Sequence, residues 1–398
     1  MDRPYPFLTV SEKGERSVRA GHPWIYDNEI TDCGVQEDGA VADVFSAKGR
    51  WLGVGFYNSH SRIRLRILSR NANDRIDDAF WQRKTRWALD YRRQVMGEQD
   101  FACCRLIFGE ADGFPGLTVD RFGSVLVSEV LSLGMELRKS VVYDTLLEET
   151  GCEILYERSD NAIRDKEGLT RFCGFYRGSS ESGVTEIVEN GLRYEVNYLD
   201  GQKTGFFLDQ KFNRAAAAKI APGRRILDCF THTGAFALNC AANGAESVTA
   251  VDVSELALQS ARRNAELNGL QDRVSFLRRD VFELLTELLE TKNRDYDYII
   301  LDPPAFTKSS TTVEKAYRGY KDINYRALRL LPRGGYLATC SCSHFMTTEL
   351  FRKMLREAAA DAGVQLRQIE ERQQGADHPI LWGVPETDYL KFFLFQVI

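Results

Sequence analysis

From Arg224 onward the chain alternates short apolar runs with amphipathic helical patterns, and this rhythm constrains the fold more than any other feature. The runs are residues 226–227, 247–251, 274–277, 298–301 and 336–339, and the helical patterns are 234–242, 254–268, 281–290, 317–331 and 347–362. Ser254 reads as an N-cap and Gly269 falls just past the end of its helix. Residues 364–369 and 389–397 close the sequence as further strands. Parallel strands need a crossover between them, and a helix is the usual one. The pattern therefore predicts an α/β fold, a doubly wound and mostly parallel sheet with helices on both faces.

Ligands of such sheets sit outside the carboxyl ends of the strands, at the switch point. Asp228-Cys229-Phe230-Thr231-His232-Thr233-Gly234 follows the first run, Asp252 the second and Asp280 the third. Asp302-Pro303-Pro304-Ala305-Phe306 follows the fourth and Cys340-Ser341-Cys342-Ser343 the fifth. A lone Asp at a strand end usually caps the next helix; four in register read as a ligand set. The first loop has one glycine and an acid, where a pyrophosphate would want bare amides and no negative charge. A cationic sulfonium ligand tolerates Asp228, Asp252 is placed for two ribose hydroxyls, and Asp280 for an adenine amino group. S-adenosylmethionine is the expected cofactor, lying against Phe230, Thr233 and Gly234.

The two prolines after Asp302 fix φ and remove two donors. They leave a stiff turn whose carbonyls can face a planar base, with Phe306 as a stacking surface. Cys342 points to a reaction class. Carbon 5 of a pyrimidine is a poor nucleophile until a thiolate adds to carbon 6, and a cysteine beside the Asp-Pro-Pro turn suits that covalent step. The bland reading is a buried, inert cysteine. Cys340 is a rival, because strand alternation puts it on the same side; Cys342 is preferred as the one past the strand end. An Asp-Pro-Pro-aromatic turn also suits methylation of a guanine ring or exocyclic nitrogen with no thiol. A non-catalytic RNA-binding protein of the same fold is the remaining alternative.

Upstream, residues 40–45, 51–57 and 63–67 read as strands of a small all-β module spanning residues 1 to about 70. A helix over 74–96, strands at 116–120, 125–130 and 154–157, and a helix over 136–149 read as an α+β module. The Gly/Ser-rich stretch 178–183 marks a boundary, after which 185–189 and 192–198 form a strand pair. The net charge of −5 argues against a nucleic-acid partner, but residues 61–93 hold ten basic and four acidic residues. There Arg62, Arg64 and Arg66 alternate with Ile63, Leu65 and Ile67, and Trp81, Trp87 and Tyr91 follow. A strand with one apolar and one basic face, next to aromatics, is a candidate RNA surface; the bland reading is a solvated face.

No apolar run approaches the roughly 20 residues of a membrane helix, and residues 1–10 lack a secretory pattern. The nine cysteines show no framework and should be reduced thiols of a cytoplasmic protein. Neither they nor the five histidines have metal-site spacing, so no metal is expected.

These residues resemble the RlmI-type class I S-adenosylmethionine-dependent 23S rRNA (cytosine-C5)-methyltransferase family over essentially the whole chain. Gly21-His22-Pro23-Trp24-Ile25-Tyr26 is similar to the family's PUA-domain signature. The block 105–121 and Tyr156-Glu157-Arg158-Ser159-Asp160 resemble its central domain. Lys203-Thr204-Gly205-Phe206-Phe207-Leu208-Asp209-Gln210 resembles the opening of its methyltransferase domain, and Ala376-Asp377-His378-Pro379 comes near the end. The resemblance implies a PUA domain over 1–72, a central domain over 73–182 and a class I methyltransferase domain over 183–398. It implies 5-methylcytosine formation in large-subunit rRNA, with Cys342 as nucleophile and Asp302 bonded to the cytosine ring. It places Asp228, Asp252 and Asp280 around S-adenosylmethionine, with Asp302, Gln210 and Arg214 as cofactor-side candidates. The chain departs from the pattern at His344, where a small residue is expected. A homodimer is the oligomer the resemblance allows.

Overall fold

The computed structural model describes residues 3–201 and 204–398; Lys203 of the block quoted above lies outside the described residues. The chain forms two compact units. The first gathers Met1–Ile187, Val196–Leu208 and Ala376–Thr387; the second gathers Val188–Glu195, Asp209–Gly375 and Asp388–Ile398.

The first unit opens with β1 (Phe7–Val10), α1 (Glu12–Arg19), β2 (Trp24–Tyr26), β3 (Ile30–Cys33), β4 (Val41–Ser46), β5 (Trp51–Tyr57) and β6 (Ile63–Ser69). The strands form one sheet in the order β2-β6-β5-β4-β1-β3, closed over Leu8, Val10, Val44, Leu65 and Ile67. The expected β module is present and also carries one short, unexpected helix, α1. Its eight residues are too polar for an apolar stripe to be read, but Ser11 caps it by accepting from the Gly14 amide, with acids in the first turn and arginines in the last.

Next come α2 (Asp78–Phe101), β7 (Cys103–Phe108), β8 (Leu117–Phe122), β9 (Val125–Val130), α3 (Leu133–Glu136), α4 (Lys139–Thr150), β10 (Ile154–Ser159) and β11 (Phe172–Arg177). Their sheet runs β11-β10-β9-β8-β7. The edge strands β7 and β11 were not legible, because neither shows clean alternation. Gly97, at φ 72°, breaks the α2 helix close to the expected end. Trp81 is fully buried, stacked on Phe56 at 5.7 Å and packed on Phe114. It is core, not a surface aromatic.

A hairpin, β12 (Val184–Glu189) and β13 (Leu192–Asn197), turns through Asn190 and Gly191, both at positive φ. The second unit then runs α5 (Lys211–Ala218), β14 (Arg225–Cys229), α6 (Ala235–Ala242), β15 (Ser247–Asp252), α7 (Glu255–Leu267), β16 (Val274–Arg278) and α8 (Val281–Glu290). It continues with β17 (Tyr298–Leu301), α9 (Val313–Leu330), β18 (Tyr336–Ser341), α10 (Thr348–Ala362), β19 (Leu366–Arg372) and β20 (Lys391–Val397). The sheet order is β16-β15-β14-β17-β18-β20-β19. Strands β14 to β18 pair parallel, and β20 runs antiparallel between β18 and β19. The order reverses between β14 and β17, so the loops after those two strands flank the switch point. Ser254 caps α7 as expected. A core of Leu227, Ile299, Leu301, Tyr320, Phe351 and Phe393 fixes where the strand ends lie.

Candidate active site

The loop after β14 carries the most unusual backbone of the second unit. Phe230 (φ 64°) and His232 (φ 51°) are left-handed without being glycine, at about 1 kcal/mol or more each. Gly234, at φ 81°, must be glycine for a second reason: a Cβ there would stand 3.0 Å from the Ala261 Cβ on α7. Asp252 holds this loop. Its two oxygens accept from the His232 amide at 3.0 Å and the Ser254 amide at 2.9 Å, tying the strained turn to the start of α7.

Asp228 is fully buried. One carboxylate oxygen accepts from the Thr231 hydroxyl at 2.6 Å and the Ala237 amide at 3.1 Å. The other is buried with no hydrogen-bond partner among the described residues. Burial pushes this carboxyl up to about 7, reinforced by the charges of Asp302 and Asp252 and opposed by the Thr231 hydrogen bond. Asp280 is exposed and caps α8, accepting from the Phe282 and Glu283 amides through a single oxygen. An unpartnered buried acceptor, and acids at or just after the ends of β14, β15, β16 and β17, fit a cationic ligand bearing ribose hydroxyls and do not fit a pyrophosphate.

After β17, Asp302 accepts from the Gln210 amide at 2.9 Å, and Asn213 fixes that amide from the other side at 2.7 Å. Burial, then the neighbouring Asp209 charge, pushes Asp302 up to about 6. Tyr389 donates to Asp209 at 2.6 Å. Pro303 is buried and Pro304 exposed. Phe306 lies 4.5 Å from the Tyr320 ring and 6.0 Å from Phe282, so part of its expected stacking surface is already covered. Arg214, expected near the cofactor, is buried in a bidentate pair with Glu189 at 2.6 and 2.7 Å.

β18 ends at Ser341, which separates the two rival cysteines. Cys340 lies within the strand, fully buried, and burial, then the charge of Asp302, holds its thiol well above the ordinary range. Cys342 lies past the strand end, half-buried, with Sγ 3.9 Å from the Pro303 carbonyl oxygen. The structure thus brings Asp302, Pro303 and Cys342 together across adjacent strands, beside Gln210. Ser343 meets the Tyr320 hydroxyl at 3.0 Å, and Lys391 donates to the Ser343 carbonyl at 2.7 Å. Lys391 and Tyr389 were not singled out in the sequence, and Asp209 was named only within the block 203–210. Lys391 opens an apolar strand, and nothing local distinguishes it from a solvated lysine. Among the described residues no group of His, Cys, Asp or Glu is arranged to hold a metal.

In the first unit the basic stretch is only partly a surface. Arg62 is exposed and Arg64 half-buried, donating to the Ser59 carbonyl. Arg66 is buried and pairs with Glu167, correcting the expectation that all three share a solvent face. A partner 101 residues away has no trace in a period-two pattern, and the bulge between Ile25 and Tyr26 further disturbs the face.

Comparison with known proteins places these observations. The S-adenosylmethionine-dependent methyltransferase family matches residues 170–395, and a PUA-like domain matches residues 8–70. A ribosomal RNA large subunit methyltransferase I from Klebsiella pneumoniae (strain 342) is 39% identical, with 100% of each chain covered. One from Shewanella denitrificans is 42% identical, covering 96% of this chain and 97% of its own length. Among solved structures, a proposed S-adenosylmethionine-dependent methyltransferase from Streptococcus mutans superposes with a TM-score of 0.83 at 21% identity, covering 98% of this chain and 99% of that one. Another, in complex with SAH, gives a TM-score of 0.84 at 20% identity. These two establish the fold. No helix among the described residues is long and apolar enough to cross a membrane.

Proposed function

This chain belongs to the S-adenosylmethionine-dependent methyltransferase family and, within it, to the ribosomal RNA large subunit methyltransferase I group; from that premise we propose that it methylates carbon 5 of a cytosine in large-subunit (23S) rRNA through a covalent adduct on Cys342. The observation that carries the proposal is the pairing of a half-buried thiol past the end of β18 with the Asp302-Pro303 turn past the end of β17. A methylase acting on a guanine nitrogen has no use for that thiol.

S-adenosylmethionine, when bound, supplies an electrophilic methyl group. Asp228, Asp252 and Asp280, with Phe230, Thr233, Gly234 and Gln210, are the residues that would hold it. The Cys342 thiolate adds to carbon 6 of the cytosine, which gives carbon 5 enamine character and makes it the nucleophile toward methyl. Asp302 is hydrogen-bonded to the ring; with its carboxyl held near 6 it can hand a proton to N3 as the thiolate adds and recover it later. Loss of the carbon 5 proton to a base and expulsion of the thiolate restore the aromatic ring and free Cys342. Pro303, Pro304 and the uncovered part of Phe306 offer the base its seat. Arg62 and Arg64, within the PUA-like match, contact RNA backbone. The domain division we assign is 1–72, 73–182 and 183–398, and the compartment is the cytoplasm.

Purified protein with methyl-labelled S-adenosylmethionine and total rRNA from cells lacking the enzyme tests the reaction. The expected label is in 5-methylcytidine. Label in a methylguanosine would overturn the thiol mechanism while leaving fold and cofactor intact.

A further inference from the structure

Lys391 is a buried cation to which, among the described residues, no carboxylate is hydrogen-bonded. Its backbone lies opposite Ser341 in the antiparallel β18–β20 register, one residue from Cys342. Its ammonium donates to two carbonyls, of Ser343 and of Tyr389, each at 2.7 Å. The first is the residue after Cys342; the second is the residue whose hydroxyl holds Asp209. Burying an ammonium against two neutral carbonyls is expensive, and burial does draw this amine down to about 8, opposed by the charge of Asp388 and by a Cys342 thiolate. A methionine would fill the same space without the desolvation of an ammonium, though it would leave the two carbonyls without this donor. The surplus cation therefore asks for a use, and the group beside it that can become an anion is the Cys342 thiol.

We propose that Lys391 is the positioning residue of the nucleophile: its ammonium clamps the Ser341-Cys342-Ser343 turn through the Ser343 carbonyl and stabilises Cys342 as the thiolate. It touches neither substrate nor cofactor and acts through Cys342. The clamp fixes where Sγ points, and the charge sets how much thiolate is present at neutral pH. Asp388 partly offsets the Lys391 charge, and the other titratable groups that interact with Cys342 are the Cys340 thiol on β18 and the Tyr320 hydroxyl on α9. The assistance fades as pH rises through about 8, where Lys391 sheds its proton.

This inference rests on the reading of Cys342 as nucleophile, and its test is kept separate from methyl transfer. The rate of alkylation of Cys342 by iodoacetamide, read by peptide mass in the full-length protein across pH 5 to 10, reports the thiolate directly. In the wild type the midpoint is expected below the roughly 8.5 of a free thiol. In Lys391→Met it is expected to move up by about one pH unit, slowing alkylation about tenfold at pH 7, and Lys391→Arg should restore most of the rate. A wild-type midpoint at or above that of a free thiol overturns the proposal even if Lys391→Met does not fold. So does an unmoved midpoint in a folded Lys391→Met protein. Full methyl transfer by Cys342→Ala would instead sink the covalent reading, whatever the alkylation profile shows.

Discussion

Asp302 sets a conflict between folding and chemistry that one substitution exposes. Its carboxyl is raised from the ordinary value of about 3.9 to about 6 in the folded protein, so the native state binds this proton more tightly than the unfolded chain. Its contribution to stability is therefore fully present below about 4, falls as pH rises toward 6, and remains a constant cost above that. Asp302→Asn keeps the shape and removes the charge. We expect it to raise Tm by a few degrees at pH 7.5 and not at pH 4, while methyl transfer drops by about 100-fold or more. Equal Tm changes at both pH values would contradict this. The two cysteines separate in the same way. Cys340→Ala should retain most methyl transfer at a cost of about 1 kcal/mol in urea unfolding, whereas Cys342→Ala should lose transfer and unfold like the wild type. The positions of both carboxylate and thiol just past strand ends were legible in the sequence, because the βα rhythm sets where strands end. Lys391 was not, because its meaning lies in which turn it faces.

The elements divide into those whose local pattern suffices and those that depend on distant partners. The α7 helix, with Ser254 before it and Gly269 after it, is specified within its own residues. The loop into α6 is not. Gly234 answers both to its own φ and to Ala261 on another helix. Gly234→Ala should lower stability by about 1–3 kcal/mol, and isothermal titration should show weaker binding of S-adenosylhomocysteine, because the loop it distorts also carries Phe230 and Asp252's partner His232. Unchanged affinity in a destabilised variant would detach this loop from the cofactor. Strand β6 shows the opposite failure of a local pattern. Its arginines look equivalent in sequence, yet Arg66→Met leaves the buried Glu167 carboxylate without its cation, held only by the Asn58 amide among the hydrogen bonds described, at about 3–5 kcal/mol. Arg62→Ala should leave stability unchanged and weaken RNA binding, most strongly at low salt. A filter-binding series in which Arg62→Ala binds RNA as the wild type does at every salt concentration would remove this strand from the interface.

At the scale of the molecule, the doubly wound sheet could be read from its βα rhythm, but the make-up of the first unit could not. That unit recruits Val196–Leu208 and Ala376–Thr387 from far along the chain. The reason is polar and buried. Asp377 accepts from the Arg105 amide at 2.9 Å, its carbonyl accepts from buried Arg92, and Thr204 donates to the fully buried Asp120 that pairs with Arg105. The Asp377-His378 pair legible as a motif is thus part of the first unit's interior. A fragment of residues 1–187 is expected to melt at least about 5 °C below the first transition of the whole chain, since it strands these groups without partners. A fragment as stable as the whole would show that they contribute nothing. What the assembled enzyme does to one base can be read from a trapped intermediate. rRNA containing 5-fluorocytosine cannot lose a proton from carbon 5, so a covalent intermediate should persist. We expect an RNA–protein adduct, dependent on S-adenosylmethionine, whose mass maps to Cys342 and which is absent in Cys342→Ala. An adduct on Cys340, or methyl transfer to rRNA with no adduct at all, would contradict it.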